Sequence, residues 1–295
     1  MTSIVIPAHN EARVIGRLLD SLLADSGPTG SGGSGGLGDS ADDTDIVVVC
    51  NGCTDDSAEI AAARGPRVRV VEIPVPSKHA ALRAGDDHAR GFPRLYVDAD
   101  VVIAGADVRA LTEPLADETS GILATAPVRR IPLASCAWRV RAYYQVWQRL
   151  PAVREGLFGR GVIAVSKAGH ARLAALPPLM ADDLAASLAF AAEERRVVDT
   201  AGVVIQPPRT WRDLIRRRVR AAVSTAQVEQ HQGPQGASAR TSKADLKALL
   251  RREPKLFVAV LVFVSAAVAA RRKAAKAIRA QDFGTWLRDE SSRQN

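Results

Sequence analysis

The chain has 295 residues, 47% apolar and 24% charged, which excludes global disorder and leaves room for one large α/β domain or two smaller ones. Three cysteines, Cys50, Cys53 and Cys136, are too few and too odd in number for a disulfide scaffold and fit a reducing compartment. The formal charge of +8 is uneven: residues 1–205 hold 21 Lys+Arg against 25 Asp+Glu, net −4, and residues 206–295 hold 19 against 7, net +12.

The N-terminus runs straight into Ile4-Val5-Ile6-Pro7, with no basic segment before a long apolar one, so no secretory signal is expected. Ser3–Pro7 is β-branched and reads as a buried strand. Ala12–Leu23 has helical apolar spacing, and Ser26–Asp45, rich in Gly, Ser and Asp, reads as a surface-loop insertion. Ile46–Cys50 is a second strand, followed by Asn51-Gly52 and a helix through Ala63; Val68–Ile73 is a third strand, Ala80–Ala89 a helix and Leu95–Val97 a short fourth strand. Alternation of strand and helix over residues 1–100 predicts βαβ units and a mainly parallel sheet. Further on, strands are expected at 121–126, 161–165 and 197–205, and helices at 137–150, 184–194, 210–223 and 246–252, with a Gly/Ser/Gln-rich linker over 230–242. Leu256–Ala270 carries no charge and lies between Lys255 and Arg271-Arg272-Lys273.

Polar residues collect where the strands end. The first strand leads into Pro7-Ala8-His9-Asn10-Glu11, the second into Asn51-Gly52-Cys53-Thr54-Asp55-Asp56, and the fourth into Asp98-Ala99-Asp100. Ligands of open α/β sheets bind outside the carboxyl ends of the strands, so these three tips are expected to line one edge. On extended chain, Asp98 and Asp100 point to the same side, a pair suited to a hard divalent cation shared with substrate phosphates. Asp182-Asp183, ahead of an apolar helix, reads either as a helix cap or as a general base. Arg212, Arg216, Arg217, Arg218 and Arg220 form a basic helical cluster that suits a diphosphate, a membrane surface or water. Lys78 is a lone cation at another strand end. No dinucleotide fingerprint, P-loop, nucleophile elbow or zinc spacing is present in the sequence.

In this order, the residues resemble a family 2 inverting glycosyltransferase of the GT-A fold. The matching pieces are residues 4–11, 47–56, 78–82, 97–100 and 181–183, spread over about residues 2–220. The resemblance implies an α/β fold with a Rossmann-like, mostly parallel central sheet flanked by helices. Residues 1–229 would be the catalytic domain, 230–245 a linker and 246–295 a basic, apolar helical tail. It further implies that Pro7, His9, Asn10 and Glu11 border the nucleotide, that Asn51 and Asp55 bind its base or ribose, and that Lys78 lies nearby. Asp98 and Asp100 would hold Mg2+ or Mn2+ on the donor diphosphate, Asp183 beside Asp182 would supply the base, and Arg217 and Arg220 would contact diphosphate or acceptor. Many relatives have Tyr where His9 stands and Ser where Cys53 stands, and Ala221 replaces a frequent Trp, which argues against a processive synthase.

The implied reaction moves a sugar from a nucleotide-diphosphate sugar to a hydroxyl of a glycan, lipid-linked or small-molecule acceptor in cell-envelope glycan or glycolipid synthesis. Two other classes compete. A nucleotidyltransferase usually has a Gly-rich basic loop where Ala8-His9-Asn10-Glu11 stands, and a nucleic-acid module needs more aromatics than 4%. No nucleic-acid partner is therefore expected. A 15-residue helix over 256–270 is roughly 22 Å long, short against a bilayer core of about 30 Å. Its basic flanks favour an anionic membrane surface, so a cytoplasmic enzyme at the inner face of the cell membrane is expected.

Overall fold

Residues whose side chains alternate between two apolar layers make the sheet. The structure, a computed structural model, describes residues 1–24, 44–176, 182–232 and 241–279; most of the expected insertion at 26–45 and the segment 177–181 lie outside the described residues. The elements run β1 (Thr2–Ala8), α1 (Ile15–Leu23), β2 (Thr44–Asn51), α2 (Ser57–Ala62), β3 (Val68–Ile73), α3 (Lys78–His88), β4 (Arg94–Val97), β5 (Val101–Val102), α4 (Gly105–Ala116) and β6 (Ala124–Arg130). They continue with α5 (Trp138–Trp147), α6 (Pro151–Glu155), β7 (Val162–Val165), α7 (Lys167–Ala174), α8 (Asp182–Leu188), β8 (Arg195–Ile205), α9 (Trp211–Gln232), α10 (Lys243–Arg252) and α11 (Phe257–Arg279).

Two compact units result: residues 1–130, 160–176 and 190–205 form the first, and residues 131–159, 177–189 and 206–295 the second. This differs from a 1–229 domain followed by a separate tail, because α9 and α11 share one core.

The first unit contains the eight-stranded sheet, in the order β3-β2-β1-β4-β7-β6-β8-β5. β3, β2, β1 and β4 are mutually parallel, as expected. Beyond β4 the sheet is mixed: β7 runs antiparallel to β4 and β6, β6 and β8 are parallel, and β5 is antiparallel to β8. Ile4, Ile6, Ile46, Val48 and Leu95 face one core with Leu18, Leu19 and Leu111, while Val47 and Val49 pack on the other side against Ala81 of α3. Burial on both faces explains why these strands read as unbroken apolar runs.

A polar cluster anchors β4 below its tip. Asp86 on α3 accepts hydrogen bonds from Arg94 Nη1 and the Tyr96 hydroxyl, each at 2.9 Å, and Tyr96 also bonds His170 Nδ1 of α7 at 2.9 Å. The cluster fixes α3 and α7 on β4, and hence the level at which residue 98 emerges. Burial pushes the Tyr96 phenol up and holds the His170 imidazolium down.

The second unit is helical. Its core gathers Val140, Tyr143, Leu214, Val219, Phe263, Ala266 and Ala270 from α5, α9 and α11. Tyr143 stacks on Phe263 at 5.1 Å between ring centroids and meets Tyr144 edge-on at 5.3 Å. The Tyr143 hydroxyl is buried without a partner, and burial pushes its pKa up to about 12. Removing an unsatisfied buried hydroxyl while keeping the ring relieves a desolvation cost. Tyr143→Phe is therefore expected to leave stability unchanged or raise it by about 1 kcal/mol, as denaturant unfolding would read.

The expected linker is shorter than the sequence implies. α9 continues to Gln232, and α10 starts at Lys243 behind a capping box in which Asp245 N–H donates to Ser242 Oγ and Ser242 N–H donates to Asp245 Oδ2. The expected helix over 184–194 stops at Leu188, and a 3-10 turn over 192–194 leads into β8. The tail helix does not stop at Ala270 but runs on through Arg271-Arg272-Lys273, residues that favour helix.

Candidate active site

β1 and β2 end side by side, with Ala8 in register with Cys50, and their loops are laced together. Asn51 is 3% exposed, and its amide nitrogen donates to Ala8 O at 2.7 Å. His9 Nδ1 lies 2.6 Å from Asn51 O; a carbonyl only accepts, so Nδ1 carries the proton. Asn10 adopts φ 52°, the left-handed region that Asn tolerates, and its Oδ1 accepts Thr54 N–H at 2.8 Å. Glu11 N–H donates to Ser57 Oγ at 2.8 Å, and Ala12 N–H to Asp55 Oδ2 at 3.1 Å. Asp55 Oδ1 accepts the Ser57 hydroxyl at 2.5 Å.

The geometry separates the expected nucleotide contacts into two kinds. Pro7 and Asn51 are buried within the strands, and Asn51 serves to join the two tips. His9, Asn10, Glu11 and Asp55 are half-buried at the edge. Gly52, between the strands' polar residues, has φ +57°, and a Cβ there would meet Pro76 N at 2.9 Å, so only glycine fits this turn.

Asp98 and Asp100 follow β4 in a turn, not on extended chain as the spacing argument assumed; Val101 N–H reaches back to Asp98 O at 3.4 Å. Both aspartates are half-buried and the intervening Ala99 is buried. Lys78, in the first turn of α3, places Nζ 2.7 Å from Asp98 Oδ1. A cation at a helix N-terminus works against the helix dipole, and Asp98 offsets it. With side chains 33% and 39% exposed, the pair is open to water and to competing ligands.

One side of this turn is set by residues that the sequence did not flag. Asp98 N–H donates to Gly161 O at 2.8 Å. Gly161 has φ +65°, and a Cβ there would stand 2.5 Å from Val101 Cγ1 and 3.3 Å from Asp98 Oδ2. Beside it, Arg160 is buried and donates to Pro127 O at 2.7 Å, with its pKa lowered to about 10 by burial. A Gly-Arg-Gly run entering a strand was the available signal.

In the second unit, α8 begins at Asp182, and Asp183 is exposed. Asp183 Oδ2 accepts Gly159 N–H at 2.8 Å and Oδ1 accepts Leu184 N–H at 2.7 Å. Two backbone bonds orient the carboxylate, and each oxygen keeps a further lone pair. On α9, Arg216 pairs with Asp213 at 3.2 Å, Arg217 Nη1 donates to Gln206 O at 3.3 Å, and Arg218 lies over the Tyr143 ring at 5.9 Å. The expected arginine cluster is thus divided among separate partners; Arg220 is half-buried on the same helix.

Among the described residues no group of three His, Cys, Asp or Glu side chains is placed to hold a metal. Asp98 and Asp100 still fit a Mg2+ or Mn2+ shared with a diphosphate, because such ions take hard oxygen donors and usually keep water and phosphate ligands.

A family model described as glycosyl transferase family 2 matches residues 3–172. Two curated relatives align with shorter stretches. A dolichyl-phosphate beta-glucosyltransferase from Trichomonas vaginalis is 36% identical over 103 residues, covering 34% of this chain and 29% of that protein. An undecaprenyl-phosphate 4-deoxy-4-formamido-L-arabinose transferase from Edwardsiella ictaluri is 30% identical over 128 residues, covering 42% and 36%. The matched stretches thus span about a third of these relatives. A mannosyltransferase from Pyrobaculum calidifontis, solved in complex with GDP-Man and Mn2+, superimposes with TM-score 0.60 at 20% identity, covering 99% of this chain and 84% of that one. The architecture is the GT-A fold, as expected.

Proposed function

The chain belongs to glycosyl transferase family 2, and from that premise we propose that it moves a sugar from a nucleotide-diphosphate sugar to an acceptor, with inversion and with a divalent cation. The observation that carries this reading is the meeting of His9, Asn10, Glu11, Asp55, Lys78 and Asp98 at the tips of three neighbouring parallel strands. In the proposed reaction, the acceptor oxygen forms a bond to the anomeric carbon as the bond to the diphosphate oxygen breaks. Asp183 takes the proton of an acceptor hydroxyl. Lys78, Arg217 and Arg220 offset charge on the departing diphosphate. A Mg2+ or Mn2+ held by Asp98 and Asp100 supplies further charge neutralisation there. The complex of the structural neighbour with GDP-Man and Mn2+ supports both donor class and metal.

The names of the two curated relatives point to lipid-linked acceptors, which we place ahead of glycans and small molecules, in envelope glycan or glycolipid synthesis. A panel of UDP- and GDP-sugars, assayed with and without Mn2+ in the presence of polyprenyl phosphate, tests the reading. Metal-dependent release of UDP or GDP is expected, and no release from any donor sinks it.

We further propose that the enzyme works at the anionic inner face of the cell membrane. Segment 254–276 is, among the described residues, the one helix long and apolar enough to cross a membrane, and a third of it is buried in the protein. Its outward side is apolar: Phe257 and Val258 are 57% and 61% exposed, and Leu261, Val264 and Val268 continue the stripe. Exposed Arg251, Arg252, Lys255, Arg271, Arg272 and Lys273 flank it. Such a helix suits insertion at a lipid–water boundary with basic residues on anionic headgroups. Val258→Glu with Leu261→Glu is expected to abolish co-sedimentation with phosphatidylglycerol vesicles. Undiminished binding by that variant would remove α11 from the membrane contact.

A further inference from the structure

Residues 50–53 read Cys-Asn-Gly-Cys, a pair of thiols three residues apart at the tip of β2. Neither is in a disulfide; Cys50 is buried and Cys53 half-buried. A thiol–thiol hydrogen bond joins them, and the Cys50 pKa is pushed up to about 12 by burial and then by Cys53. Cys53 also ties β2 to the facing tip. Its Sγ donates to Ala8 O at 3.4 Å and accepts Asn10 N–H at 3.4 Å. The left-handed turn at Gly52, closed against Pro76, holds the two sulfurs on the same side of the chain reversal.

We propose that Cys50 and Cys53 form a reversible disulfide on exposure to peroxide, a modification site that loosens the loop between β1 and α1 and weakens binding of nucleoside diphosphates. The two roles differ by exposure. The Cys53 thiolate attacks hydrogen peroxide, the O–O bond breaks, and sulfenic acid forms on Cys53 as hydroxide leaves and takes up the proton that Cys53 released. The Cys50 thiol then attacks that sulfur; an S–S bond forms, the S–O bond breaks, and the hydroxyl departs as water with the Cys50 proton. Two thiols and one peroxide give one disulfide and two waters. A disulfide sulfur has no hydrogen to give Ala8 O, and bonding to Cys50 draws Sγ away from Asn10 N–H. Asn10, already in the left-handed region, then loses one of the contacts that hold it there. The consequence for nucleotide rests on the glycosyl-transfer reading; the bond itself does not.

The test uses the full chain. Reduced protein is treated with hydrogen peroxide, unfolded and alkylated with a maleimide, and the peptide containing residues 50–53 is weighed; affinity for UDP and GDP with Mn2+ is measured in both states. The proposal expects that peptide to lose two hydrogens and take up maleimide only after dithiothreitol. It also expects affinity to fall by about tenfold or more and recover on reduction. Cys53→Ser, which keeps a hydroxyl for Ala8 O, should bind nucleotide normally and be indifferent to peroxide. Alkylation of both cysteines after peroxide, or extra oxygens on Cys53 with Cys50 still a thiol, overturns the site. Equal affinity in the two states overturns the consequence. Failure of the reduced protein to bind either nucleotide overturns the glycosyl-transfer reading, and the peptide mass then decides the disulfide alone.

Discussion

Asp183→Asn is expected to lower kcat for a hydroxyl acceptor by about 10²–10⁴-fold, the usual contribution of a positioned general base, at nearly unchanged donor affinity. Asparagine keeps the shape and still accepts the Gly159 and Leu184 N–H groups through one oxygen, so the start of α8 should survive. Thermal unfolding of the variant checks this. The comparison is sharpest across acceptors. A hydroxyl must lose its proton as it attacks, whereas a phosphate monoester is already ionised near pH 7. A variant inert towards hydroxyl acceptors but active on polyprenyl phosphate would define the acceptor as a phosphate oxygen. Full activity on a hydroxyl acceptor would remove Asp183 from the chemistry.

Asp98→Asn is expected to cost about 10²–10³-fold in kcat and to abolish the dependence of nucleotide binding on Mn2+. The same change frees Lys78 from its partner at 2.7 Å. A cation at the start of a helix without its carboxylate is electrostatically unfavourable, so Lys78 would then be more available to phosphate. The variant should therefore bind UDP or GDP in the absence of metal at least as well as the parent, while losing turnover. Titration of nucleotide with and without Mn2+ reads both effects; retention of the Mn2+ dependence would exclude Asp98 as a ligand.

The parallel half of the sheet was legible because each strand is buried on both faces and each tip ends in polar residues. Val68–Ile73 matches its strand residue for residue. The antiparallel half was not. β5 has two residues, and β6 pairs with β8 across some seventy residues of chain, which no local pattern encodes. α4 escaped because Ala104 offers no side-chain cap and Pro114 lies inside the helix. At the site, residue type identified Asp98 and Lys78 but not their pairing, since nothing in the sequence brings residue 78 to residue 98. Asn51 was expected at the ligand because Asn-Gly marks a turn; its burial depends on Ala8, which is 43 positions away. The tail was read as separate because its charge and its apolar run differ from what precedes them. Tyr143 and Phe263, two aromatics among few, bring it into the second core.

The two sides of α11 answer to different demands. Ala266, Ala270 and Ala274 recur every fourth residue and are almost fully buried, so their small size is fixed by neighbouring helices. Val258, Leu261, Val264 and Val268 touch mostly solvent and contribute little to that packing. Solubility and foldedness are therefore separable in this protein. Polar residues along the outward stripe should yield a detergent-free preparation with its unfolding midpoint intact, whereas a single enlargement at Ala266 should cost the fold and leave the sticky surface in place.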